Sequence, residues 1–141
     1  MSIVQKGITA LSDRVPKVLS PTAHAIADYA TVGGFVTMGI LLWKRHRRAA
    51  IAALACAGGE LANTLITDFP GGVTNAISFE THGHVDLGLA AAASSLPGFL
   101  KFSGEPEAKF FSIMGVNITA VHAMTNFKSP LRERPRLEKT A

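Results

Sequence analysis

Charge is scarce in this sequence, and its distribution matters more than its amount. Asp, Glu, Lys and Arg make up 17% of the residues, against about 25% in an ordinary soluble domain. The stretch from Ala49 to Ala108 carries only Glu60, Asp68, Glu80, Asp86, Lys101, Glu105 and Glu107. Cys56 is the single cysteine and lies in an apolar Ala/Gly run, so no disulfide can form within the chain and no redox compartment follows from it. No recognised nucleic-acid motif occurs, and aromatic residues are not interleaved with the basic ones. The net charge of +4 is therefore not a nucleic-acid signal. Hydrolase, kinase, zinc-finger and dinucleotide motifs are missing as well, and Gly71-Gly72 reads as a helix stop rather than a phosphate loop.

What the chain does have is apolar length. Apolar residues make up 48% of it, gathered into four runs at 22–43, 49–67, 82–100 and 109–127. A helix of about 20 residues, at 1.5 Å per residue, crosses a hydrocarbon core of roughly 30 Å. The second and third runs show no polar face over Ala49–Gly59 and Leu87–Leu96, which a soluble four-helix bundle would require. Small residues (Gly33-Gly34, Gly39, Ala52 to Gly59, Gly88 to Ala93) would let helix backbones approach closely in lipid. These features predict an all-α, integral membrane four-helix bundle forming a single membrane domain over 1–141, multi-pass in the inner (cytoplasmic) membrane of a bacterium. Residues 2–19, with Pro16 and several charges, suit a short interfacial helix and are too short and polar for a span or a secretory signal. Residues 128–141 form a basic tail.

Two polar signatures repeat at one offset. His24-Ala-Ile-Ala-Asp28 matches His82-Gly-His-Val-Asp86 at 58 residues, and the same 58 places Thr67-Asp68-Phe69 on Thr125-Asn126-Phe127. This argues for two tandem two-helix repeats. An even number of crossings separates the halves, so His24, Asp28, Asp68, His82, Asp86, His122 and Asn126 should gather at one end of the bundle, with Glu60 and Asn63 one to two turns deeper. The Lys44, Arg45, Arg47 and Arg48 loop should sit at the opposite end, against lipid headgroups.

The i, i+4 spacing sets each His on the same helix face as its Asp. A carboxylate there can accept the ring N–H, fix the tautomer and leave the other nitrogen for a metal or haem iron, or it can hold an imidazolium for proton handling. It can also simply tie helices together. Intramembrane ionisable residues are expensive, which favours function by default. His24 and His82 are the candidate ligands for a haem or transition metal. His84 points to a different face, and His46 is expected in a solvated or headgroup-facing position in the basic loop.

At Pro21-Thr-Ala-His24-Ala-Ile-Ala-Asp28-Tyr29, Thr67-Asp-Phe-Pro-Gly-Gly72 and His82-Gly-His-Val-Asp86, the sequence resembles small bacterial four-helix membrane proteins related to the SPW-repeat family. The resemblance implies a duplicated two-helix fold and no specific activity.

The leading functional expectation is a non-enzymatic accessory or assembly subunit of a larger bacterial membrane complex, of the electron-transport type. Its partners would be the lipid bilayer and proteins bound through small-residue faces and the tails, with no nucleic acid. The alternatives are a haem- or metal-binding membrane protein using His24 and His82, and an intramembrane acid/base enzyme or small-molecule transporter. Eight of the 14 Lys/Arg fall on the face with both tails, which places the tails in the cytoplasm.

Overall fold

The computed structural model describes residue 10 and residues 13–128. The expected interfacial helix over 2–19 and the basic tail over 128–141 lie largely outside that description. Residues 10, 13 and 14 are helical and residues 16–18 are not.

Four long helices follow: α1 (Pro21–Leu42), α2 (Arg47–Ile66), α3 (Phe79–Phe99) and α4 (Ala108–Met124). Two dipeptide strands, β1 (Thr67–Asp68) and β2 (Ile77–Ser78), lie between α2 and α3 and pair in parallel. α1 packs along α2, and α3 along α4; these hairpins then meet through α2 against α3 and α4 against α1, leaving α1 and α3 across the diagonal. α1 and α2 are long and apolar enough to cross a membrane, each with a mean hydropathy of 1.5 over its best window. α4 is shorter, at 17 residues, and α3 opens on the polar run Glu80 to Asp86.

The boundaries have local causes. α1 starts at Pro21 because Ser20 caps it, its Oγ accepting from the Ala23 N–H, and proline suits the first turn. α3 starts at Phe79, three residues before the expected His82. Ser78 supplies the same cap to Thr81 N–H, and Phe79 is drawn into the core at 4% exposure. Residues 77–78, which lie outside the four apolar runs, are therefore strand and cap. α2 starts at Arg47 rather than 49, because His46 is its N-cap, Nδ1 accepting from the Ala49 N–H. α4 ends at Met124 rather than 127, because Thr125 turns extended and bridges in parallel to Leu19. The loop after β1 lies over α1, where the Tyr29 hydroxyl donates to the Gly71 carbonyl at 2.7 Å. A Cβ on Gly71 would come within 2.6 Å of Ala25, so this close approach requires glycine.

The core joins small residues to large rings. Ala49, Ala50, Ala52, Ala53 and Ala57 of α2 are buried and face a cluster containing Phe35, Phe102, Phe111 and Ile118. The exterior is apolar where it would normally be polar: Ile26, Ile40, Leu41, Phe99, Ile113 and Val116 are each more than 60% exposed. His24, Asp28, Glu60, Asn63, His82 and Asp86, by contrast, are buried.

Candidate metal centre

Four side chains converge at one end of the bundle, two from the first turns of α1 and α3 and two from one turn further in. His24, Asp28, His82 and Asp86 are all buried, and one ligand atom from each lies within 4.8 Å of every other. The two Nε2 atoms are 3.1 Å apart. Asp86 Oδ2 lies 3.2 Å from His24 Nε2 and 3.3 Å from His82 Nε2. Asp28 faces them with both oxygens, Oδ1 at 3.3 Å from His24 Nε2 and Oδ2 at 3.2 Å from His82 Nε2. The i, i+4 spacing thus places each carboxylate beside its own histidine, and the diagonal packing of α1 and α3 brings the two pairs together.

The outer nitrogens decide what the inner ones can do. His24 Nδ1 lies 2.7 Å from Thr125 Oγ1, and His82 Nδ1 lies 2.8 Å from Thr67 Oγ1. Each threonine hydroxyl in turn donates to the carbonyl four residues back, Val121 and Asn63, at 2.6 Å. An O···O separation that short is repulsive without a proton between the atoms, and a carbonyl can only accept. The hydroxyl proton is therefore committed to the carbonyl, so the threonine oxygen accepts and both Nδ1 atoms carry hydrogen. In a neutral imidazole this leaves Nε2 as a bare lone pair. Two lone pairs and two carboxylates then face one point, an arrangement that repels itself unless a positive charge sits among them.

The spacing fits one ion. A regular tetrahedron with bonds of about 2.0 Å, as for zinc to nitrogen or oxygen, has edges of about 3.3 Å; the two Nε2 atoms and Asp86 Oδ2 form one such face at 3.1–3.3 Å, and either Asp28 oxygen supplies a fourth vertex 3.2–3.3 Å from one of the nitrogens. Asp28 Oδ2 makes no aligned hydrogen bond despite its proximity to His82. A haem does not fit. Axial nitrogens on opposite faces of one iron stand about two metal–ligand bonds apart, roughly 4 Å, and here the space between the rings is filled by carboxylate oxygens. With the two Nε2 atoms 3.1 Å apart, His24 and His82 do not stand as axial ligands on opposite faces of one haem.

The surroundings repeat at the 58-residue spacing. Phe69 covers His82 at 5.2 Å between ring centroids, and Phe127 covers His24 at 5.5 Å. Phe79 closes the remaining side, 5.2 Å from His24. Gly83 lets Phe127 in, since a Cβ there would come within 2.6 Å of its ring. The equivalence breaks at Asn63. Its amide donates to Asp86 Oδ1 at 2.8 Å and to the His82 carbonyl at 3.3 Å. The residue 58 positions on is Val121, so Asp28 has no such anchor.

Other expected members of the cluster lie apart from it. Glu60 is 2% exposed, a turn deeper than Asn63, with Oε2 unpartnered. Asp68 is half-buried in β1, and Asn126 is exposed, its side chain accepting from Lys128 N–H. His122 packs on Phe127 with Nδ1 unpartnered, and His84 is exposed. One alternative from the sequence gave a ring N–H to each carboxylate; here the threonine hydroxyls lie on the Nδ1 atoms and the carboxylates on the Nε2 atoms. Thr67 and Thr125 were visible in the repeated Thr-x-Phe element, but only the fold shows that they reach the histidines.

At the opposite end, His46 is not headgroup-facing. Its Nδ1 caps α2, which leaves Nε2–H to donate to Glu105 Oε2 at 2.5 Å. His46, Glu105 and Glu107 are close enough to suggest a second metal group, but a ring nitrogen holding a proton for Glu105 is not a free ligand. Arg48 ties the same two loops, donating to the Leu100 and Lys101 carbonyls.

No protein-family model matches the sequence, and no curated protein or solved structure is significantly similar to it.

Proposed function

We propose that this chain is a multi-pass membrane protein of the bacterial cytoplasmic membrane, a duplicated four-helix bundle that holds one divalent transition-metal ion, zinc fitting best, through His24, Asp28, His82 and Asp86. The observation that carries it is the fixed tautomer: threonines 58 residues apart bind both Nδ1 atoms and turn both Nε2 lone pairs onto two carboxylates. Two neutral imidazoles and two carboxylates sum to the charge that one divalent cation cancels, which removes the cost of burying unpaired charge. Imidazole nitrogen with carboxylate oxygen in a tetrahedron suits zinc above magnesium or calcium, which take six or more oxygens. Four protein ligands under an aromatic cover leave no open position, the pattern of a structural metal rather than a catalytic one. The ion would join the α1–α2 hairpin to the α3–α4 hairpin across their diagonal.

The membrane part rests on several buried ionisable residues together with large apolar side chains left exposed, added to two helices of spanning length. α3 and α4 would complete the crossing, with His82 and Asp86 of α3 buried inside. A second role, as a subunit of a larger membrane assembly, is favoured by small positions left open. A Cβ at Gly33, Gly58 or Gly88 meets nothing within 4 Å, so a neighbouring helix could approach closely there. Copurification of a stable partner in mild detergent tests this.

Metal analysis of the full chain, extracted in mild detergent, tests the centre. One ion per chain is expected in the wild type, with none in His24→Ala or His82→Ala and full content in His84→Ala. Cobalt(II) loading should give the intense visible bands of a tetrahedral site. Protein that is metal-free and takes up neither zinc nor cobalt overturns the proposal, and solubility without detergent overturns its membrane part.

A further inference from the structure

The basic loop between α1 and α2 divides into two pairs. Arg47 is engaged by the protein, its guanidinium 4.0 Å over the Trp43 ring. Arg48 is engaged too, held by two carbonyls and by Glu105. Lys44 and Arg45 have no side-chain partner among the described residues. Both line the mouth of a groove of about 680 Å³ whose walls are Gly39, Ile40, Leu41, Trp43 and Leu54. That volume is in the range of about 300–1,000 Å³ typical of small-molecule sites.

The groove has a structural cause. Gly39 is buried where α1 meets α2, and a Cβ there would come within 2.6 Å of the Leu54 side chain. Leu54 therefore leans across the glycine and leaves a trough beside it. Ile40 and Leu41 remain 67% and 64% exposed on its flank. The trough is apolar along its length and cationic at one end. Trp43, 40% exposed, stands at the boundary, where an amphipathic ring marks the level of headgroups.

We propose that this groove is a binding site for an anionic phospholipid, with an acyl chain along Gly39, Ile40, Leu41 and Leu54 and the phosphate between Lys44 and Arg45. The proposal rests on the membrane reading above and is independent of the metal. Charge complementarity chooses the occupant: a zwitterionic lipid gains nothing from two unpaired cations, and a soluble anion leaves the apolar walls bare. Each basic residue close to an anionic lipid surface contributes roughly a fivefold gain in binding. Neutralising both should lower retention about 25-fold.

The test is native mass spectrometry of the full chain in mild detergent, with phosphatidylglycerol and phosphatidylcholine offered in equal amounts. Phosphatidylglycerol should be retained preferentially, and K44Q/R45Q should abolish the preference. Lys109→Gln removes a charge from the same end of the bundle outside the groove and should leave the preference intact. Excess glycerol phosphate should not displace the lipid; if it does, the site is one for a soluble anion and the proposal falls. Equal retention of both lipids, or unchanged preference in K44Q/R45Q, also overturns it. Helical content by circular dichroism on the same samples checks folding in each variant whatever its metal content, so failure here is distinct from failure of the metal centre. Solubility without detergent would instead remove the membrane reading itself.

Discussion

Replacing Thr125 by Val removes one hydroxyl and preserves shape, so it isolates the step on which the metal centre depends. In the wild type that oxygen accepts from His24 Nδ1–H at 2.7 Å while donating its own proton to Val121. Without it, a buried N–H has no partner, which costs about 1–3 kcal/mol. The neutral ring can avoid the cost by moving its proton to Nε2, but it then presents N–H instead of a lone pair to the centre. Either way metal affinity falls. Outer partners of ligating histidines typically contribute 10–100-fold, or about 1.4–2.8 kcal/mol. The assay is competition for zinc against a chromophoric chelator in detergent, comparing wild type, Thr125→Val, Thr125→Ser and Thr119→Val. Thr119 makes the same bond to the carbonyl four residues back, at Gly115, on the same helix, but no histidine lies on its oxygen. Thr119→Val should change affinity less than about twofold, and Thr125→Ser should recover most of the loss. T67V/T125V should lose at least the two effects combined, about 100-fold or more. Wild-type affinity in Thr125→Val, or an equal loss in Thr119→Val, would refute the tautomer reasoning.

Chelation of the wild type should lower its thermal midpoint in detergent, since free metal at 1,000 times Kd stabilises by about 4 kcal/mol; the midpoint of His82→Ala should not respond to chelator. Asn63→Leu leaves Asp86 Oδ1 buried without its amide and should cost about 1–3 kcal/mol of stability, read by denaturant titration. Gly115→Ala sets a Cβ within 2.9 Å of the Ala90 carbonyl, and overpacking of about 1–3 kcal/mol should outweigh the helix-propensity gain of about 0.5–1 kcal/mol. Gly88→Ala, with open space, should keep only the gain. Metal binding must displace protons from its ligands, so zinc affinity should fall as pH is lowered, measured by the same competition titration.

Much of this was legible in the sequence because helix periodicity is local. The four apolar runs and the i, i+4 pairing of His24 with Asp28 and of His82 with Asp86 all follow from neighbours within a few residues. Errors arose where a distant contact set a boundary. Thr125 leaves the helix to bridge Leu19, and Phe79 starts α3 early because its ring enters the core. His46 was misplaced for a similar reason: in sequence it belongs to a basic run, and only the facing loop supplies Glu105. Asp68, His122 and Asn126 share an end of the bundle with the histidines, but the end of a bundle is wider than a coordination sphere.

The order of apolar and polar residues determined by itself that there would be four helices and that two His–Asp couples would lie near the starts of α1 and α3. Which nitrogen of each imidazole carries the proton was decided only by the tertiary structure. That choice depends on a hydroxyl 101 residues from His24 and another 15 residues from His82, and spacing along a chain carries no information about which lone pairs meet when helices cross the diagonal of a bundle.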